Sequence, residues 1–139
     1  MLKVGFTGTR HGMTSIQQEE FKKIIKAKEI SEFHHGMCRG SDKQAHDHIT
    51  EVKNDKNIRI VGHPPRFKGS LARCKCDILR KADEYLVRNR NIIDQTDILI
   101  ATPDTKEKVM SGTWSTIRYA RKQKRKIYII HKNGRVSIE

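Results

Sequence analysis

The sequence predicts an α/β fold: a Rossmann-like parallel sheet of about five strands with helices on both faces. Three observations predict it. Short apolar runs alternate along the chain with longer segments of helical periodicity. Several of those runs are apolar without alternation, as expected of strands covered on both faces. And each unusual glycine- or arginine-bearing segment follows the end of an expected strand, the edge at which open α/β sheets hold their ligands. A β-α-β-α-β-α-β-α-β order implies right-handed crossovers and a parallel sheet.

The elements can be justified in order. Leu2-Lys3-Val4-Gly5-Phe6-Thr7 is the first expected strand. In the helix after it, Phe21, Ile24 and Ile25 share a stripe with Lys28, and Thr14 with Gln17 has capping-box spacing at its start. A weak strand is expected near Phe33-His34. Ala45, Ile49 and Val52 mark the second helix, where Ser41 with Gln44 repeats the capping spacing. Ile58-Arg59-Ile60-Val61 is the third strand. Pro64-Pro65 then opens the longest expected loop, about His63 to Lys75, a candidate lid. Ile78, Leu79, Ala82, Tyr85, Leu86, Ile92 and Ile93 form a third helical stripe, whole or broken in two. Asp97 to Thr102 is the fourth strand, Trp114, Ile117 and Ala120 mark the last helix, and Ile127 to Ile130 is the fifth strand. Gly134 to Glu139 reads as a small edge strand or a partner contact. No repeat, linker or low-complexity tract interrupts this pattern, so residues 1–139 read as one domain.

A chain of 139 residues buries roughly 68–70% of its unfolded surface, so it needs no disulfide or metal to hold a core. Cys38, Cys74 and Cys76 are an odd count for a disulfide framework and read as reduced thiols. Met1 to Thr7 is too short for a secretory signal, and no apolar run approaches the ~20 residues of a membrane span. A cytoplasmic protein with no membrane partner is expected. The net charge is +13. It is uneven: from Lys108 to Ile138 there are nine Lys or Arg and no acid, and from His63 to Ile92 eight against Asp77, Asp83 and Glu84. Such a field attracts anions, although surplus charge also serves solubility.

Four segments carry the candidate chemistry. In Thr7-Gly8-Thr9-Arg10-His11-Gly12, Gly8 lets the backbone approach a ligand, Thr9 offers a hydroxyl and Arg10 a planar donor fork for phosphate. The spacing is not the dinucleotide fingerprint; a plain strand-to-helix turn is the structural alternative. In His35-Gly36-Met37-Cys38-Arg39-Gly40-Ser41-Asp42, Gly36 and Gly40 flank Cys38 and Arg39 and permit a nest of amides at a helix N-terminus. Asp42 would accept from a ribose hydroxyl or simply favour the helix dipole. Gly62-His63-Pro64-Pro65-Arg66 follows the third strand. Thr102-Pro103, leading to Ser111-Gly112-Thr113-Trp114, places hydroxyls and orphan amides before the last helix. Trp114 either stacks on a base or belongs to the core. Arg88 and Arg90 of Arg88-Asn89-Arg90 point about 200° apart on a helix, so only one of them shares the crevice with Asn89. No metal is expected, since Cys74-x-Cys76 and His46-x-His48 match no zinc spacing, and no nucleophile–base pair can be named from spacing.

Taken in order, Thr7-Gly8-Thr9-Arg10, His35 to Asp42, His63-Pro64, Arg88-Asn89-Arg90, Ala101-Thr102-Pro103 and Ser111 to Trp114 resemble the SLOG superfamily, which joins the Smf/DprA proteins and the Lonely-guy enzymes. The resemblance runs from about Leu2 to Ile130 and is nearest to small stand-alone bacterial and phage members. It implies a Rossmann-like fold, a nucleotide-type ligand and a homo-oligomer, dimer or tetramer. Some members release a base from a nucleoside monophosphate, some bind cyclic ADP-ribose-like signals, and the DprA branch binds single-stranded DNA. The Lonely-guy motif P-G-G-x-G-T-x-x-E is only partly present. Gly112-Thr113 aligns with its G-T, Thr116 stands where its glutamate would be, and Met110-Ser111 replace earlier glycines. The expected hydrolytic carboxylate is therefore absent.

The leading expectation is a binder of a phosphorylated nucleotide or nucleotide-derived, ADP-ribose-like signal, with no further cofactor. Gly8, Thr9, Gly112 and Thr113 would cradle phosphate, Arg10, Arg39 and Arg88 would neutralise it, and Asp42 or Asn89 would hold a ribose hydroxyl. The site set also takes in Gly36, Cys38, Gly40, Pro103, Ser111 and Trp114. The alternative is a nucleotide N-glycosidase with Asp42 as the best catalytic candidate. A third reading, nucleic-acid binding, rests on the basic run Arg118 to Lys126 but has thin aromatic support in Tyr119 and Tyr128.

Overall fold

The computed structural model describes all residues, Met1–Glu139. Its elements are β1 (Leu2–Gly8), α1 (Ser15–Lys26), β2 (Ile30–His35), α2 (Ser41–Lys56), β3 (Arg59–Gly62), a 3₁₀ turn (Lys68–Ser70), β4 (Ile78–Leu79), α3 (Tyr85–Asp94), β5 (Ile98–Thr102), α4 (Gly112–Lys122), β6 (Lys126–Ile130) and β7 (Val136–Ile138). The strands form one sheet in the order β4-β3-β2-β1-β5-β6-β7. All neighbours are parallel except β6 and β7.

The five expected strands therefore form the centre of a seven-stranded sheet, and each edge gains a strand. β7 is the edge strand expected within Gly134 to Glu139. β4 corrects the reading of Ile78 and Leu79 as helical. Asp77 fixes them as strand: its amide donates to the Ile60 carbonyl at 2.9 Å, and its carboxylate accepts from the Ile60 amide at 2.8 Å. Those bonds lay the following residues along β3. The apolar stripe thus joined a two-residue strand to a helix that begins only at Tyr85.

The two expected capping boxes behave differently. At α1, Thr14 Oγ1 accepts from the Gln17 amide and the Gln17 side chain accepts from the Thr14 amide, a complete reciprocal box. At α2 the N-cap is Gly40 and no side chain caps it; Ser41 lies inside the helix. Gln44 instead accepts from the Met13 amide at 2.6 Å, tying α2 to the turn after β1.

Helices cover both faces. Against α1 and α2, Phe6, Phe21 and Phe33 meet with ring centroids 5.4–6.0 Å apart. Each ring is 0–1% exposed. Truncating one to alanine would cost about 3–5 kcal/mol, because the cavity left behind adds to the lost transfer energy. On the other face, Leu99, Ala101, Ile127 and Ile129 pack against Ile93, Trp114 and Ile117. β1 lies between β2 and β5, and the chain leaves β1 for one face and β5 for the other. The turns after these two strands diverge, and a crevice opens between them at the carboxyl edge.

Candidate functional site

A cavity of about 530 Å³ occupies that crevice. Four parts of the chain line it: Gly8 to His11 after β1, Gly36, Cys38 and Asp42 around the β2–α2 turn, Tyr85, Arg88, Asn89 and Ile92 on α3, and Asp104, Lys108 and Met110 to Thr113 between β5 and α4.

Gly8 is where the backbones draw closest. A Cβ there would lie 2.5 Å from Thr102 Oγ1 and 2.8 Å from Ser41 Oγ. The hydroxyls of Thr9, Ser41 and Thr102 are buried, and none has a hydrogen-bond partner in the protein. Buried polar groups are normally paired, so three unpaired hydroxyls beside one glycine are an unusual concentration of unused hydrogen-bonding capacity. The Ser41 amide donates to the Thr9 carbonyl at 2.9 Å and holds the two turns together. Gly40, with φ of +86°, permits this approach, because a Cβ would strike the Thr9 and Arg10 backbone.

Arg88 is 6% exposed and points inward from α3. Its Nη1 donates to the carbonyls of Gly36 and His63, and its Nε is buried without a partner. Asp42 lies beside it and accepts from the Cys38 amide at 3.1 Å. Burial pushes the Asp42 carboxyl up to about 6, against the opposing pull of Arg88 and of backbone amides. Arg10 differs from Arg88. It is exposed, forms no salt bridge, and stacks 4.9 Å from the Tyr85 ring centroid. Tyr85 in turn is held by a hydroxyl–hydroxyl bond to Ser70. At the N-terminus of α4, Ser111 Oγ accepts from the Trp114 amide at 3.2 Å, leaving the Gly112 and Thr113 amides with no helical acceptor. His11 Nδ1 and Asp104 Oδ2 meet at 3.1 Å, joining the β1 and β5 loops.

The structure brings Gly8, Thr9, Arg10, Gly36, Cys38, Asp42, Arg88, Asn89, Ser111, Gly112 and Thr113 to one cavity. Four expected residues do not line it. Arg39 is exposed, and its amide donates to the Ser70 carbonyl. Gly40 packs behind the Thr9–Arg10 backbone. The Pro103 carbonyl is taken by Gln17 Nε2. Trp114 is 3% exposed, and its indole N–H donates to the Thr105 carbonyl, so it belongs to the core. Sequence reasoning gave no site role to Tyr85, Ser41 or Thr102. Tyr85 was hidden in an apolar stripe, Ser41 in an apparent capping box and Thr102 at a strand end. Arg88 faces the cavity while Arg90 lies over Tyr119 at 5.3 Å, as their angular separation requires.

The expected lid, about His63 to Lys75, is tied back. It contains the 3₁₀ turn, and the Ala72 amide donates to the Met37 carbonyl. The basic run Arg118 to Lys126 is largely engaged. Arg118 and Arg121 pair with Glu107, Arg121 also with Glu139, and Arg125 donates to backbone carbonyls. Lys126 lies over Tyr128.

Two buried histidine chains flank the site. His34 donates through Nε2 to Glu32 and accepts through Nδ1 from His63, both at 2.8 Å. The Met37 amide donates to His35 Nδ1, so the neutral His35 ring carries its proton on Nε2, 3.1 Å from His46 Nδ1. Burial lowers the pKa of both His34 and His35, and it takes His63 down to about 3.

No protein-family model matches the chain, and no curated protein matches it. Solved structures do. A molybdenum cofactor binding protein from the phototrophic bacterium Rippkaea orientalis matches with a TM-score of 0.68 and 16% identity, over 92% of this chain and 75% of that one. A structural-genomics target, TM1055, matches with a TM-score of 0.59 and 13% identity, over 91% and 72%. DNA processing protein A (DprA) from Streptococcus pneumoniae matches with a TM-score of 0.62 and 17% identity, over 91% of this chain but only 49% of its own, so this chain spans about half of it. No helix is long and apolar enough to cross a membrane. The chain shares the Rossmann-like α/β fold of these three proteins.

Proposed function

We propose that the chain binds a phosphorylated nucleotide or nucleotide-derived ligand, ADP-ribose-like signals included, in the cavity at the carboxyl edge of β1 and β5. The observation that carries this reading is a set of unpaired buried polar groups at the cavity wall: the Thr9 hydroxyl and Arg88 Nε on residues that line it, with the Ser41 and Thr102 hydroxyls packed behind them against Gly8. Arg10 supports it as an exposed guanidinium with no acid of its own. A phosphoryl group accepts from such donors, and each charge-assisted bond is worth about 1.5–3 kcal/mol. Two or three would supply much of a micromolar affinity of about 8 kcal/mol, before ordering costs. Tyr85, Ile92 and Met110 offer apolar surface for a base. The test is calorimetric titration with nucleoside mono- and diphosphates and ADP-ribose. At least one should bind at micromolar level, and Arg10→Ala should weaken it at least tenfold. Failure of every ligand, or an unchanged affinity in Arg10→Ala, overturns the reading.

Asp42 favours a second reading, N-glycosidic hydrolysis. A buried carboxyl with its pKa near 6, facing a ligand cavity, suits proton transfer near neutrality. Base release from a nucleoside monophosphate that stops in Asp42→Asn supports it; no release from any of them removes it. Nucleic-acid binding at the basic run is the weakest of the three, because Arg118 and Arg121 pair with Glu107 and Glu139 and Arg125 donates to backbone carbonyls, which leaves only Lys122, Lys124 and Lys126 without an acidic or carbonyl partner of that kind.

A further inference from the structure

We propose that the chain hydrolyses the phosphoanhydride bond of the nucleotide it binds, with His11 as the general base and Asp104 as the residue that positions it. This rests on the ligand reading above and adds a reaction to it. His11 is the one histidine among the residues that line the cavity, and Asp104 lines it as well. They come from different loops. His11 follows Arg10 in the turn after β1, and Asp104 opens the segment that runs from β5 to Gly112 and Thr113 of α4. The pair therefore bridges the loop that carries Arg10 and the loop that leads to the free α4 amides. Its contact is His11 Nδ1 to Asp104 Oδ2 at 3.1 Å.

The contact sets the chemistry of the ring. A carboxylate only accepts, so Nδ1 carries the proton and donates it to Asp104. Nε2 of the neutral ring is then an unprotonated acceptor. The His11 side chain is 86% exposed and that of Asp104 30%, so water reaches Nε2 while the carboxylate is held closer to the protein. This is a base with its orienter: the acid sets tautomer and direction, and the imidazole moves the proton. The other histidines are placed differently. His34 also has a carboxylate, Glu32, on Nε2, but its Nδ1 is taken by His63. His35 and His46 bond to each other, His48 to Gln18 and His131 to Ser137. His11 and Asp104 stand 93 residues apart in the chain, so no spacing rule finds them.

The surroundings select the bond. Arg10 and Lys108 bring positive charge to the same cavity, and the first amides of α4 have no helical acceptor. Such donors suit the charge that builds on a phosphoryl group as water attacks it. The pair supplies one base, which suits a leaving group that needs no proton. A phosphate is such a group, since its second ionisation lies at about pH 6; a sugar alkoxide is not. In the step, water gives a proton to His11 Nε2 while its oxygen forms a bond to phosphorus. The bond from phosphorus to the bridging oxygen breaks, the leaving phosphate takes the electron pair, and the imidazolium passes its proton to solvent. A nucleoside diphosphate gives nucleoside monophosphate and phosphate. ADP-ribose gives AMP and ribose 5-phosphate.

The test assays the full chain with ADP and with ADP-ribose, the products separated by chromatography. Calorimetry measures binding of α,β-methylene-ADP, in which that bond cannot be hydrolysed. At least one of the two substrates should yield AMP. His11→Ala should lower kcat at least a hundredfold while KM and binding of the analogue stay within a few-fold, and free imidazole should restore part of the rate. Asp104→Asn should lower kcat at least tenfold at unchanged KM, because an amide that donates to Nδ1 turns the tautomer over. Melting curves show that both variants are folded. An analogue that binds while ADP and ADP-ribose come back intact overturns the inference and leaves the ligand reading standing. If no nucleotide binds, both fall together. Turnover that survives in folded His11→Ala overturns the inference, and so does free base as the product, which points to Asp42 instead.

Discussion

Arg88 and Gly36 are joined across the inner wall of the cavity: Nη1 of the guanidinium donates to the Gly36 carbonyl, and a Cβ on Gly36 would collide with that nitrogen. Arg88 is thus a strut between α3 and the β2–α2 turn as well as a neighbour of the ligand space. Its loss should therefore cost stability as well as any ligand contact. Arg88→Ala removes charge-assisted bonds to two carbonyls and leaves Asp42 buried without its counter-charge. We expect a loss of at least about 2 kcal/mol in denaturant unfolding. Arg10→Ala should leave the unfolding midpoint within error, because Arg10 is exposed and bonded to nothing acidic. Equal stability of the two variants would show that Arg88 carries no structural load.

Gly8→Ala tests the turn itself. The added Cβ would collide with Ser41 and Thr102 Oγ1, which already pack against the Gly8 backbone. The β1 and α2 turns would have to part. Nucleotide binding should fall at least a hundredfold, about 2.7 kcal/mol, with some loss of stability. Gly112→Ala is the comparison, since a Cβ there meets nothing within 4 Å; it should bind within a few-fold of wild type. If calorimetry finds the two variants alike, the ligand does not approach Gly8.

Much of this arrangement was legible in the sequence, and the exceptions have physical causes. Strand ends and glycines are local features, so the turns after β1, β2 and β5 could be placed on one edge from periodicity and the crossover rule alone. What each side chain does there depends on which neighbour reaches it first. Arg39 and Arg88 look equivalent in one dimension, yet one faces solvent and the other is locked under α3. Ser41 and Gln44 have the same spacing as Thr14 and Gln17. Gly40, in its positive-φ conformation, takes the cap position of α2, and Gln44 is drawn off by Met13. Ile78 and Leu79 were misread because a two-residue strand has no period of its own; the carboxylate of Asp77, bonding across to Ile60, decides it. Tyr85 escaped notice because its ring serves both purposes, packing at the start of α3 while it carries Arg10 on its face.

Asp42 should make ligand binding and stability depend on pH in a definite direction. Its pKa in the folded protein, about 6, lies above the ordinary 3.8. The native state therefore holds a proton that the unfolded chain has released. This favours folding most below 3.8, and the contribution is lost as pH rises through 6. An anionic ligand placed beside Asp42 raises the carboxyl further. Above pH 6 binding must then take up a proton, and affinity should fall by up to about tenfold per pH unit before levelling. A dinucleotide whose phosphates do not titrate in this range isolates the effect. Titrations from pH 5 to 8 should show the decline in wild type and a flat profile in Asp42→Asn. A flat wild-type profile would place the ligand's charge away from Asp42.

Glu107 determines how much of the basic run is available to a polyanion. It accepts from Arg118 and Arg121 at 3.0–3.2 Å, and hydrogen bonding to Arg121 holds its carboxyl below the usual range. Arg121 keeps a two-point contact with Glu139 as well. In Glu107→Gln, Arg118 loses its only acidic partner while Arg121 stays neutralised. One additional free cation should steepen the salt dependence of single-stranded oligonucleotide binding by about 0.7 in the logarithmic slope. The low-salt affinity should rise with it, and the gain should vanish at high salt. Fluorescence anisotropy across a salt series measures both. The substitution should leave nucleotide binding in the cavity unchanged, because Glu107 does not line it. If Glu107→Gln binds oligonucleotide with the slope and affinity of wild type, the Glu107 pairing is not what restrains the run, and the nucleic-acid reading would have to be judged on Lys122, Lys124 and Lys126 alone.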